Sequence, residues 1–86
     1  MRVHIPGPLL SYTQQSRVVE ASGESLDQLI DDLNSRYPGL RFRIIDEQDN
    51  IRPHIRIFIN DFPAASLRTG IEESDEILIL QALSGG

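Results

Sequence analysis

The sequence predicts an α+β fold, one mixed sheet of four or five strands packed on one main α-helix. Three observations carry this. Short stretches rich in β-branched residues lie towards both ends of the chain, Arg2–Ile5 and Arg17–Ala21 early, Ile55–Asn60 and Glu76–Ala82 late. Between them, Leu26, Leu29, Ile30 and Leu33 recur at the three- and four-residue intervals of a single helical face. A helix with one apolar stripe needs one sheet face to bury it.

Arg2 to Ile5 alternates polar and apolar residues, placing Val3 and Ile5 on one face of a short strand that stops at Pro6-Gly7-Pro8. Leu9 to Gln15 is polar around Tyr12 and reads as a connecting turn, after which Arg17 to Ala21 completes an N-terminal hairpin. Ser25, followed three residues later by Gln28, has the form of a capping box. Glu24, Asp27, Asp31 and Asp32 place negative charge in the first half of the helix, where the macrodipole favours it. The helix ends near Arg36, because Pro38 biases Tyr37 away from helical angles and Gly39 can take the left-handed cap.

Leu40 to Pro53 mixes apolar Leu40, Phe42, Ile44 and Ile45 with the polar run Asp46 to Asn50. It is expected as a packed connection with an exposed tip and room for a short strand or a single turn. Ile55 to Asn60 is a strand stopped by the turn signal Asn60-Asp61, and Ala64 to Arg68 is expected to supply another short strand before Thr69-Gly70. Glu76 to Ala82 is apolar on both faces, which suits a strand near the centre of a sheet or beside an interface.

Eighty-six residues suit one domain, expected over 1–82, with 83–86 as a flexible tail. With no cysteine, disulfides, thiolate metal sites and a catalytic thiol are excluded. All eight basic residues are arginine, so no lysine side chain exists to accept an isopeptide bond. A net charge of −5 disfavours nucleic acid and favours a basic partner surface. No apolar stretch approaches membrane-spanning length and the N-terminus does not read as a signal peptide, so no membrane partner and a cytoplasmic location are expected. His4 and His54 are the only histidines and lack clustered partners, so no metal site is assigned.

A hairpin leading into a helix and back into sheet, with the chain ends on neighbouring strands, is the β-grasp arrangement of ubiquitin. Behind the last strand comes Leu83-Ser84-Gly85-Gly86. Glycine has no Cβ, so such an end can thread a channel too narrow for any side chain. Its α-carboxylate, with a pKa of about 3.5, is an anion at neutral pH and a poor electrophile. Reaction therefore requires activation, most simply as an acyl-adenylate from ATP, after which a sulfur or amine nucleophile displaces AMP. No phosphate-binding glycine loop of the Walker or dinucleotide type is present, so the activating catalyst is a partner and this chain is its substrate. The five residues after Gln81 reach roughly 16–18 Å at about 3.3–3.6 Å each. Gly86 is the candidate reactive group, and Gly85 and Ser84 are the residues that thread with it.

The stretches Ala21–Leu26, Ile51–Asn60 and Asp75–Leu80 running to Gly85-Gly86 resemble the sulfur-carrier branch of the ubiquitin-like proteins. That group holds the molybdopterin synthase small subunit, the thiamine-pathway carrier and a carrier that donates sulfur for cysteine synthesis. The resemblance implies that an E1-like enzyme adenylates Gly86, that a sulfur donor converts it to a thiocarboxylate, and that a molybdopterin synthase large subunit or a cysteine synthase takes the sulfur. It implies no bound cofactor, the ATP being used by the activating partner. Gln81 departs from the pattern, since relatives often carry proline after the last strand.

Alternation along the late strands sets Phe58 against Ile57 and Ile59, and Leu78 and Leu80 against Ile77 and Ile79. One set faces the helix, and Phe58, Leu78 and Leu80 are the candidate docking residues for a partner, unless Leu40–Pro53 covers their face. The competing readings are a protein modifier joined through Gly86 to lysines of other proteins, and a β-grasp interaction module whose tail has no chemistry.

Overall fold

In a computed structural model of the chain, residues 1–82 are described. They form β1 (Arg2–His4), a 3-10 helix (Gly7–Thr13), β2 (Val18–Glu20), α1 (Leu26–Arg36), α2 (Leu40–Ile44), β3 (Ile55–Ile59), β4 (Phe62–Ala64) and β5 (Glu76–Gln81). The strands make one five-stranded sheet in the order β2-β1-β5-β3-β4. β1 and β5 are parallel and every other neighbouring pair is antiparallel. The mixed sheet over a main helix is the expected β-grasp fold, with the first and last strands side by side at its middle.

Register aligns side chains in rows across the sheet. His4 stands beside Val18 and Leu78, Leu78 beside Phe58, and Phe58 beside Pro63, so one row crosses the outer face. The adjacent row, Val19, Val3, Ile77, Ile59 and Phe62, points the other way, towards α1. There Val3, Ile57, Ile77 and Ile79 join Leu26, Leu29, Ile30 and Leu33 of α1 in one buried cluster. Each such aliphatic side chain contributes about 1.5–3 kcal/mol when fully removed from water.

The helix starts at Ser25 as predicted, Ser25 Oγ accepting from Gln28 N at 3.3 Å, while Gln28 Oε1 reaches one residue past the cap and accepts from Glu24 N at 2.9 Å. Two further first-turn amides find distant carbonyls. Leu26 N donates to Thr69 O and Asp27 N to Leu67 O, each at 2.9 Å. The stretch from Leu67 to Thr69 therefore caps α1, satisfying donors that no intrahelical acceptor can reach.

This corrects one expectation. The strand foreseen over Ala64–Arg68 lies earlier, at Phe62–Ala64. Asn60 and Asp61 both adopt positive φ, 49° and 72°, the geometry of a two-residue hairpin turn whose twist matches its strands. Pairing resumes at once, at Phe62. The Leu9–Gln15 turn is also corrected: Gly7–Thr13 is a 3-10 helix, anchored by fully buried Leu9. Its end is fixed by Thr13 Oγ1, 2.8 Å from Ser16 O, and by left-handed Gln14 and Gln15.

Leu40–Pro53 holds a second short helix, α2, that buries Leu40 and Ile44, followed by an isolated bridge between Ile45 and Ile51. Arg41 clasps this segment to α1, with Nη1 3.0 Å from Asp27 and 2.8 Å from Asp31, and Nη2 3.5 Å from Asp49. Burial alone would lower the Arg41 pKa; the Asp27 hydrogen bond and the charges of Asp31, Asp27 and Asp49 outweigh it and raise the value above the usual arginine range.

A Cβ at Gly23 would lie 2.6 Å from Leu29 N and 3.0 Å from two atoms of Gln28, against the first turn of α1. Gly23→Ala is therefore expected to cost about 1–3 kcal/mol in urea denaturation, whereas Gly7→Ala, with nothing within 4 Å of its new Cβ, leaves the midpoint in place. The two faces of β5 give a second contrast. Ile79→Ala should cost about 2–5 kcal/mol, while Leu80→Ala, at a side chain 43% exposed, should change stability by no more than about 0.5 kcal/mol.

Candidate functional site

Ser84, Gly85 and Gly86, the predicted reactive end, lie outside the described residues. What the structure gives is the base from which they depart. β5 pairs Leu80 with Arg56 and Gln81 with Ile55, and the ladder runs one residue further because Ala82 N donates to His54 O at 2.8 Å. The chain thus stays hydrogen-bonded to β3 up to residue 82. Gln81, the departure from the proline pattern, is the last residue of β5, and its Oε1 is buried with no hydrogen-bond partner among the described residues.

The candidate docking residues all lie on the sheet face turned away from α1. Phe58 and Leu78 are half-buried direct neighbours, and Leu80 is exposed two residues along β5. Of Leu40–Pro53, Leu40, Ile44 and Ile45 belong to the core on the helix side, while Ile51, Arg52 and Pro53 meet Phe58 along one groove. Sequence reading named these three residues but not the rest of their row. Val18, which is 40% exposed, His4 and Pro63 extend the patch to both edges of the sheet. Alternation within a strand tells which side chains share a face, but only cross-strand register tells which share a row.

Polar groups frame the patch on its side away from the tail. Arg2 Nη1 and His4 Nε2 each lie 3.2 Å from Glu76 Oε1. Asn60 ties the β3–β4 turn to the start of β5, donating to Asp75 Oδ1 at 2.6 Å and accepting from Glu76 N at 2.9 Å. Among the described residues no group of three His, Cys, Asp or Glu is placed to hold a metal, and no helix is long and apolar enough to cross a membrane. The arrangement is an apolar, polar-framed platform on the strand that delivers the chain's last residues.

Comparison with known proteins places this architecture. Residues 3–86 match the ThiS family. Sulfur carrier protein CysO of Mycobacterium tuberculosis is 34% identical over 89 residues, covering 98% of this chain and 96% of its own. A chain of the Amycolatopsis orientalis BexX/CysO complex superposes with a TM-score of 0.91 at 31% identity, covering 99% of this chain and 98% of that one. Small archaeal modifier protein 1 of Methanosarcina acetivorans superposes with a TM-score of 0.81 at 28% identity, covering 99% and 94%. The fold, the family match over nearly the whole chain and a full-length relative above 30% identity agree: the protein belongs to the ThiS family of ubiquitin-like sulfur carriers.

Proposed function

We propose that the protein carries sulfur as a thiocarboxylate on Gly86, formed after a partner enzyme has adenylated that carboxylate with ATP. The protein is a carrier and substrate; catalysis belongs to the enzymes it visits. The observation that carries the reading is the full-length relationship to proteins named sulfur carrier CysO, over a chain that itself reads through to Gly85-Gly86. Its chemistry is consistent throughout. The sequence contains no cysteine or lysine, so the terminal carboxylate is the group best suited to acyl transfer.

Two kinds of partner follow. An E1-like enzyme would supply the adenylate, and a sulfur acceptor, a cysteine synthase or a molybdopterin synthase large subunit, would take the sulfur. The Phe58, Leu78 and Leu80 patch is the docking surface we assign to such enzymes, since apolar side chains at the centre of a polar-framed face are what a transient interface uses. The Amycolatopsis relative, solved together with BexX, supports docking to a second protein as part of the role.

Intact-protein mass spectrometry tests the reading. Incubated with the host's adenylating enzyme, ATP and a sulfur donor, the protein is expected to gain the mass difference between one sulfur and one oxygen, localised to Gly86. Adding the cognate acceptor enzyme should reverse the gain, and the acceptor that does so names the pathway. A chain that never acquires the sulfur under these conditions contradicts the proposal. The similarity to a small archaeal modifier protein favours a second reading, conjugation through Gly86 to lysines of other proteins. Its mark would be Gly-Gly remnants on lysines of digested host proteins.

A further inference from the structure

The chain has thirteen acidic residues and eight arginines, and among the described residues five of the arginines have no carboxylate partner. Arg2, Arg36 and Arg41 are all paired with acids. Arg17, Arg43, Arg52, Arg56 and Arg68 are not, among the described residues, and of these five Arg52 and Arg56 are held in place by carbonyl oxygens. Arg52 Nε donates to Phe42 O at 2.7 Å while its guanidinium sits 4.7 Å from the centre of the Phe42 ring. Arg56 Nη1 donates to Pro53 O at 2.6 Å and to Ile55 O at 3.1 Å. A guanidinium has five N–H donors in a rigid fork. These contacts fix both groups, leave their charge uncompensated and leave donors unused.

Both arginines line one groove of about 400 Å³ whose floor is apolar, with Ile51, Pro53, Phe58 and Pro63 among its residues. It opens at the β3 end beside which the chain leaves the sheet, since Arg56 pairs with Leu80 and His54 O receives Ala82 N. Of the acids in the turn before β3, Asp46 accepts from Gln48 N and Asn50 N and Asp49 faces Arg41, and none pairs with Arg52 or Arg56 among the described residues. Glu20, Asp61, Asp75 and Glu76 lie at the opposite end of the sheet, where β2 and β3 finish and β5 begins. The net negative charge therefore conceals two guanidiniums without carboxylate partners on one groove beside the end of β5, with an acidic cluster at the far end of the sheet.

We propose that this groove receives a segment of the adenylating partner that presents carboxylates beside an apolar side chain, Arg52 and Arg56 meeting the carboxylates and the floor taking the apolar group. The contact orients the carrier so that its last residues point into the partner's active site. This refines the expectation of a basic partner surface drawn from net charge: at the tail end the complementary surface is acidic. Charge complementarity of this kind acts on encounter rate and register. The inference rests on the sulfur-carrier reading above.

The test is ATP–pyrophosphate exchange by the host's adenylating enzyme, with the full chain as the varied substrate. For R52E/R56E the carrier KM is expected to rise about tenfold or more, with kcat at saturation within about twofold of wild type and a flatter dependence of KM on salt. Because Arg52 also stacks on Phe42, R56E alone, which disturbs only carbonyl contacts, is the second variant and should raise KM about threefold or more. Exchange that requires Gly86 yet shows unchanged KM and salt dependence for both variants overturns the groove proposal alone. So would a defect seen only in sulfur transfer to the acceptor enzyme, or in self-association of the carrier. Absence of exchange with the wild-type chain overturns the carrier reading and the groove assignment together.

Discussion

The structure depends on β5 lying between β1 and β3. That strand joins the N-terminal hairpin to the C-terminal hairpin, and it does so with side chains that are apolar on both faces. Ile77 and Ile79 close the core over α1, while Leu78 and Leu80 look outwards. Take β5 away and the sheet divides into two hairpins, each with only two strands and neither able to bury the apolar stripe of α1 alone. The parallel pairing of β1 with β5 puts the first and last strands side by side at the centre of the sheet, where hydrogen bonding on both sides gives the most secure backbone.

That same strand leads to the proposed reactive end. The ladder holds the chain to β3 as far as Ala82, whose N–H donates to His54 O. The outward side chains of β5 and their row from Val18 to Pro63 lie on the strand's exposed face, and the arginine-lined groove lies at the β3 end beside its last residues. On the proposed reading, recognition falls to the body of the domain, because Gly85 and Gly86 lack side chains by which they could be recognised.

Much of this was legible from local pattern. The α1 stripe, its Ser25–Gln28 cap, the late strands and the two-sided apolar character of β5 all follow from spacing within a few residues. What was not legible involves partners distant in sequence. The carbonyls of Leu67 and Thr69 cap α1 across some forty residues, so a segment that looked like a strand turned out to serve as a helix terminus. The Asn60-Asp61 turn was recognised as a stop but not as a tight hairpin, because its positive φ angles belong to one turn type among several open to those residues. The cationic groove was hidden by the overall charge: the count of acids says nothing about which arginines their carboxylates neutralise.

The central claim is that β5 is a rigid base whose order does not depend on the chemical state of the residues it delivers. Amide hydrogen exchange of the carboxylate and thiocarboxylate forms, compared at Ile77 to Leu80, tests it most directly. The account predicts that these amides exchange only through global unfolding, more slowly than those of edge strands β2 and β4, and at the same rate in both forms. Exchange at β5 as fast as at the edges, or a β5 rate that changes when sulfur is loaded, would contradict it.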